Sequence, residues 1–513
     1  MKIKVAALLA LCLFYGSPLS ADYSKMNDAF NAYSPPVYYT DSLEVKAIGP
    51  ESLAEPAVSL DAVFLEINAL KKRYEKKTGD MHENFFLSGI DMATFNRLVD
   101  ISLDQEAVWQ IISHGLKLHE IEVIAGLRNP SVLAAQKNIK AELESFTQVM
   151  GLDNTLTQYS AFTKGVNNKI GPLKMKDSIK QKFPYPGLTS LKGRIIHQQV
   201  AVLVEEMRIA QKNSITDTRK AYWDIVFIDQ SIRATSETID AFTRLKDVAT
   251  ALYKSGKTSF QDIIKINIKI EVLKEDLITL SSRKKNIEAK LSELLNIPAN
   301  TKMGEVVLSQ FDKTIPGPED LFSLARENRQ ELKVIQHKIN KVQDMIEMAE
   351  SMIQEPFTLG FSANEDEAVI SVGSSAMKPS FPEKTMASMK NNSPIKPWYG
   401  IDDPWLNQTK QILLSIKQTL VKQENAADRM VREAWFSVDR NKRELDLYKN
   451  RILSLSKSAL DVSTREYESG SIPFSQAIDS YTNWLNVKLA IVKRQTDLGS
   501  STATLEQVIG KSF

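Results

Sequence analysis

Residues 194–255 contain neither glycine nor proline, and neither do residues 405–467. At about 1.5 Å of rise per residue, each stretch can form a helix of about 90 Å, whereas the mean helix of a globular protein has about 11–12 residues. The chain must therefore be built around two rods, and what covers them decides everything else.

The residues around the rods show how they are covered. Beyond the first stretch, Ile263, Ile266, Ile270, Leu273, Leu277, Leu280, Ile287, Leu291 and Leu294 follow 3-4 heptad spacing, with Lys284 interrupting the run. Before it, Ile225, Ile228, Ile232, Ile239 and Phe242 keep the same spacing, and the seam then shifts to Leu245, Val248 and Leu252. A narrow apolar seam of this kind is a coiled-coil signature. The two seams meet in ALYKSGKTSFQDI, residues 251–263, and an antiparallel hairpin turning at Gly256 buries both.

The design recurs in the second half, where REYESGSIPFSQA, residues 465–477, again has an aromatic three residues before a glycine and Phe four after it. RKAYW at 219–223 matches REAWF at 432–436. Ile232, Ile239 and Phe242 match Leu445, Ile452 and Leu455. Trp484, Val487, Ile491, Leu498, Leu505 and Val508 form a diluted second seam. Upstream, LRNPSVLAAQKNI from Leu127 pairs with ARENRQELKVIQHKI from Ala325. The pattern fits an internal duplication of roughly 200 residues per unit. Each unit also has a non-helical insert, about 151–187 and about 355–404, and FTLGF and AVISV in the second alternate as strands do.

Other features set outer bounds. The first 21 residues carry Lys2 and Lys4, an apolar run and small residues ending at Ala21, which is the pattern of an export signal. Cys12, the only cysteine, lies within it behind Leu11, which does not suit lipidation, so thiol and disulfide chemistry are absent from the mature chain. A net charge of +2 with 25% charged residues argues against a nucleic-acid partner. After the signal no apolar run approaches the length of a membrane helix, so a spanning protein would have to form a closed barrel.

On these residues the chain resembles the TolC-type outer-membrane efflux proteins. The resemblance covers about residues 116–510, and rests on LRNPSVLAAQ, FPYPGLTSLKG, YGIDDPWLNQTKQIL and the two Tyr-x-Ser-Gly turns in this order. It implies a mainly α fold of long antiparallel coiled-coil hairpins in two repeats, with the inserts contributing to the β-barrel of a homotrimer in outer-membrane lipid. The expected divisions are a signal peptide at 1–21, an N-terminal extension at 22–113 packed along the tunnel's outer face, and a first repeat at 114–300 with its tip at about 253–262. A linker at 301–315 and a second repeat at 316–513, with its tip at about 467–479, complete the chain.

The resemblance further implies a passive exit duct without catalysis or cofactor, fed by a periplasmic adaptor and an inner-membrane RND or ABC pump. The turn residues Tyr253, Gly256, Lys257, Phe260, Tyr467, Gly470 and Phe474 become candidates for adaptor docking. The family narrows its tip with carboxylates six and nine residues past the glycine, which makes Asp262, Gln476 and Asp479 gate candidates. Gln476 departs from that pattern, and Ile472 stands where a basic residue often follows the second glycine, so an Arg–carboxylate lock is not implied. Solvated residues on a helix end are the alternative. A charged insert such as KMKDSIKQKF leaves a second function open, a periplasmic coiled-coil interaction protein with a degenerate barrel.

Five histidines show no metal-ligand spacing, and no phosphate loop or nucleophile elbow appears. Met345, Met348, Met352, Met386 and Met389 could serve soft metal ions, but gap-filling on a buried helix face is the more ordinary use.

Overall fold

In a computed structural model, which describes residues 60–79, 86–87, 90–150, 187–256, 258–307, 315–354 and 403–513, the two rods are helices. The first is α6 (Gly187–Lys254, 68 residues), followed across a short turn by α7 (Phe260–Leu295). The second is α10 (Asp403–Leu447), continued through a π-helical turn at Tyr448–Ile452 into α11 (Leu453–Ser469), and answered by α12 (Phe474–Ile509).

The element order recurs. Helices α4 (Leu118–Arg128) and α5 (Pro130–Met150) precede the first rod, and α8 (Pro318–Asn328) and α9 (Gln330–Gln354) precede the second. Each pair breaks at one residue, Asn129 or Arg329, whose backbone N–H still bonds four residues back, to Ala125 and Ala325 respectively. Both inserts and the signal segment lie outside the described residues. Among the described residues no helix is long and apolar enough to cross a membrane.

Three helices precede these units. In α1 (Leu60–Gly79), Val63, Ile67 and Tyr74 are buried against Ile139, Leu143, Phe146, Val200 and Val204 of α5 and α6. This is why that segment shows helical spacing without belonging to either unit. Helices α2 (Met92–Ser102) and α3 (Gln105–His114) pack around α4. The described part of the expected linker is packed structure, since Leu116 N–H donates to Glu305 O at 2.9 Å and Tyr222 Oη donates to Val307 O at 2.6 Å.

The four hairpin helices pack principally in the order α7, α6, α12, α11. One apolar cluster joins them, running through Phe242, Leu245, Ala249, Ile263, Ile266, Ile270, Tyr467, Phe474, Ala477 and Leu485. Where α12 crosses α6, a Cβ on Gly499 would come within 2.2 Å of the Trp223 indole, so only glycine allows that approach. Lys284, the break in the heptad, reaches across its hairpin to Asp229 at 2.7 Å.

The proximal ends are tied by a buried ionic junction. Arg219 of α6 is 4% exposed, donates to Glu122 of α4 at 2.6 Å, and pairs with Glu506 of α12. Burial alone would raise the Glu122 carboxyl, but the Arg219 guanidinium holds it below its usual range. Beside it Lys212, 1% exposed, bonds Glu331 of α9 at 2.9 Å. Arg219–Glu506 and Lys212–Glu331 thus join the two halves through buried charge.

Candidate functional site at the hairpin tips

Each tip begins with a helix that must stop. Gly256 has φ +72° and its N–H donates to Tyr253 O at 2.9 Å. Gly470 has φ +80°, its N–H donates to Tyr467 O at 2.9 Å, and Ser471 N–H donates to Glu466 O at 2.8 Å, which completes a Schellman cap. Both helices end in the left-handed region, which a side chain disfavours by about 1–2 kcal/mol. The return helices start differently: Ser259 Oγ caps α7 by accepting from Gln261 N–H at 3.0 Å, whereas Pro473 precedes α12 without a side-chain cap.

Both tips pair their aromatics, Tyr253 with Phe260 at 5.6 Å between centroids and Tyr467 with Phe474 at 5.4 Å. Their surroundings are opposite. Tyr253 and Phe260 are 45% and 56% exposed, while Tyr467 and Phe474 are each 3% exposed, inside the cluster that joins the hairpins. The second pair is therefore a packing element of this chain, and the first is the one displayed to solvent. Gly256 and Gly470 are exposed, and Lys257 lies outside the described residues.

Of the carboxylate candidates, Asp262 is half-buried and accepts a hydrogen bond from Thr258 Oγ1, which folds it back onto its own turn. Gln476 and Asp479 are exposed on α12. The Tyr467 hydroxyl is buried without a hydrogen bond among the described residues. Burial pushes its phenol pKa up, with neighbouring Thr258 lowering it and the charge of Asp262 raising it further. The two tips thus meet at Tyr467, Thr258 and Asp262, residues distant in sequence.

The heptads did not reveal a second seam. On α7, Phe260, Ile264, Ile268 and Val272 are 45–56% exposed at four-residue steps, on the side away from Ile263, Ile266 and Ile270. On α11, Leu455 and Val462 are 70% and 53% exposed, seven residues apart, with exposed Ala459 between them. The signal lay in α7's excess of isoleucine, since a helix needing one apolar face does not carry Ile at 263, 264, 266, 268 and 270.

Other candidates stay apart from the tips. His197 contacts Tyr74 Oη at 3.0 Å and His337 contacts Gln198, both in the proximal half. Met345 is half-buried on α9; the side chains of Met348 and Met352, and all of Met386 and Met389, lie outside the described residues. Among the described residues no cluster of His, Cys, Asp or Glu could hold a metal ion.

No protein-family model matches the chain, and no curated protein matches it in sequence. Solved structures do resemble it. The outer-membrane channel OprN is 10% identical, with 77% of this chain and 90% of that one covered at a TM-score of 0.53. The Campylobacter jejuni CmeC outer membrane channel is 12% identical, with 77% and 85% covered at 0.53. CusC, described as forming a transmembrane channel, is 10% identical, with 79% and 94% covered at 0.53. Long paired hairpins, helix breaks at Asn129 and Arg329 and these likenesses converge: the chain has the fold of the TolC-type outer-membrane efflux channels.

Proposed function

We propose that the protein is an outer-membrane channel, the exit duct of a tripartite efflux or type I secretion system, assembled as a homotrimer with its helical hairpins in the periplasm. The observation that carries this reading is the pair of exposed apolar seams. In the row α7, α6, α12, α11 the inner helices are covered by their neighbours, and the two edge helices each present an unpaired seam. Phe260 to Val272 spans about 18 Å from the first tip, and Val462 and Leu455 lie about 12 and 22 Å from the second. The seams stand at similar heights, so α7 of one copy meets α11 of the next. That is a heterologous contact, and such contacts close into rings when the rotation permits.

The likeness to channel structures supports a ring that encloses a conduit, and three copies is the number the resemblance implies. The strand inserts would supply the barrel in the membrane. The tips would meet the adaptor that couples the duct to an inner-membrane pump, with exposed Tyr253 and Phe260 as the primary contact. Asp262, Gln476 and Asp479 would line the closing end, and Tyr467 would link the hairpins that must part to open it. No catalysis enters this reading.

Placing Ile268→Cys and Val462→Cys in one chain tests it. Oxidation of membranes is expected to yield a ladder ending at a three-copy species, recovered from the detergent-extracted outer-membrane fraction. A soluble monomer without cross-links would reject the duct and leave a periplasmic coiled-coil protein.

A further inference from the structure

Between the ionic junction and the surface lies a cavity of about 370 Å³, where α6, α9, the end of α12 and the segment holding Phe86 and Leu87 converge. That volume falls in the range of small-molecule sites, about 300–1,000 Å³. Its charged lining is all cationic: Arg208, Lys333 and Lys511, each from a different part of the chain. Arg208 is paired with Glu205 on its own helix. Lys333 and Lys511 have no acidic partner among the described residues. Among the described lining residues and their ion pairs, three cations stand against one carboxylate.

Like charges are not gathered without cost, and the chain's near-neutral balance of +2 over 513 residues gives no general reason for it. The N-terminus of α9, at Gln330 on the wall, brings the positive end of a 25-residue helix, and the C-termini of α8 at Asn328 and α12 at Gly510 bring negative ends that offset it. A phosphate monoester carries about −1.5 to −2 at neutral pH and offers three acceptor oxygens, which suits the cationic side chains and the three separated donors. Phe86 and Leu87 supply an apolar wall for whatever the phosphate is attached to. We propose that this cavity is a binding site for a phosphate group, held by Arg208, Lys333 and Lys511.

Titration calorimetry of the detergent-extracted full chain tests the site with three probes: inorganic phosphate, glycerol 3-phosphate and short-chain phosphatidic acid, with short-chain phosphatidylcholine as the control. Saturable binding of at least one phosphate probe is expected, weakening as salt rises, and the tightest of the three identifies free anion, soluble ester or lipid as the source. Lys333→Gln and Lys511→Gln should each weaken binding roughly tenfold, the loss expected for a charge-assisted hydrogen bond. Glu205→Gln should strengthen it, because Arg208 is released from its partner, and a damaged fold cannot mimic that gain. No saturable binding by any phosphate probe, binding equal in the control, or lysine variants within twofold of the wild type would overturn the proposal.

Discussion

Tyr253 and Tyr467 occupy the same place relative to a glycine turn, yet one is 45% exposed and the other 3%. The helix ends do not separate them, because both finish in the left-handed conformation and both rings meet a Phe ring at a tilt. What differs is the neighbour each turn leans on, and no motif encodes that. The buried Tyr467 hydroxyl makes a testable point. Lacking a hydrogen bond, it carries a desolvation cost that Tyr467→Phe removes, so the variant is expected to be more stable by about 1 kcal/mol, measured by urea denaturation. A loss of stability instead would show that the hydroxyl pairs with Thr258 or Asp262 and fastens the tips together.

At the scale of the element, the π-helical turn corrects the repeat register. Arg219 and Arg432 are 213 residues apart, but Gly256 and Gly470 are 214 apart, so the second rod holds one extra residue between them. The turn at Tyr448–Ile452 absorbs it, as single-residue insertions in helices are absorbed. Beyond the turn the equivalent of Phe242 is therefore Ser456, and both are buried. Leu455, paired with Phe242 by heptad matching, is 70% exposed and belongs to the outer seam. Deleting Asn450 should return the turn to α-helix and leave the melting temperature nearly unchanged. Deleting Asp240 from α6, which has no such turn, would rotate the rest of that helix by about 100° against its partners and should lower it markedly. Equal losses from the two deletions would show that the π turn is not where the extra residue is stored.

For the whole molecule, cohesion between the halves depends on buried charge at one end and apolar packing at the other. Glu122 titrates in the folded protein below its ordinary value of 4.5. Its contribution is therefore fully present above that value and is lost as pH falls through the folded pKa. Removing one partner of a buried pair costs about 3 kcal/mol, so Glu122→Gln should lower the urea midpoint at pH 7. The variant should also flatten the acid limb of the stability profile, because one of the groups that must be protonated is gone. An acid limb as steep as the wild type's would mean that Glu122 does not titrate with unfolding.

The sequence by itself determined the rods, their seams, the glycine turns and the recurrence of the pattern, because helix length and heptad spacing are local properties and the left-handed caps of both tips are glycines. Tertiary structure alone decided which tip is buried, that α7 and α11 carry outward seams, that Phe242 answers to Ser456, and that Arg219 pairs with Glu122 and, 287 residues away in sequence, with Glu506. Each of these depends on which helices become neighbours. A period in the sequence says that a face is apolar, and only the packing says what meets it.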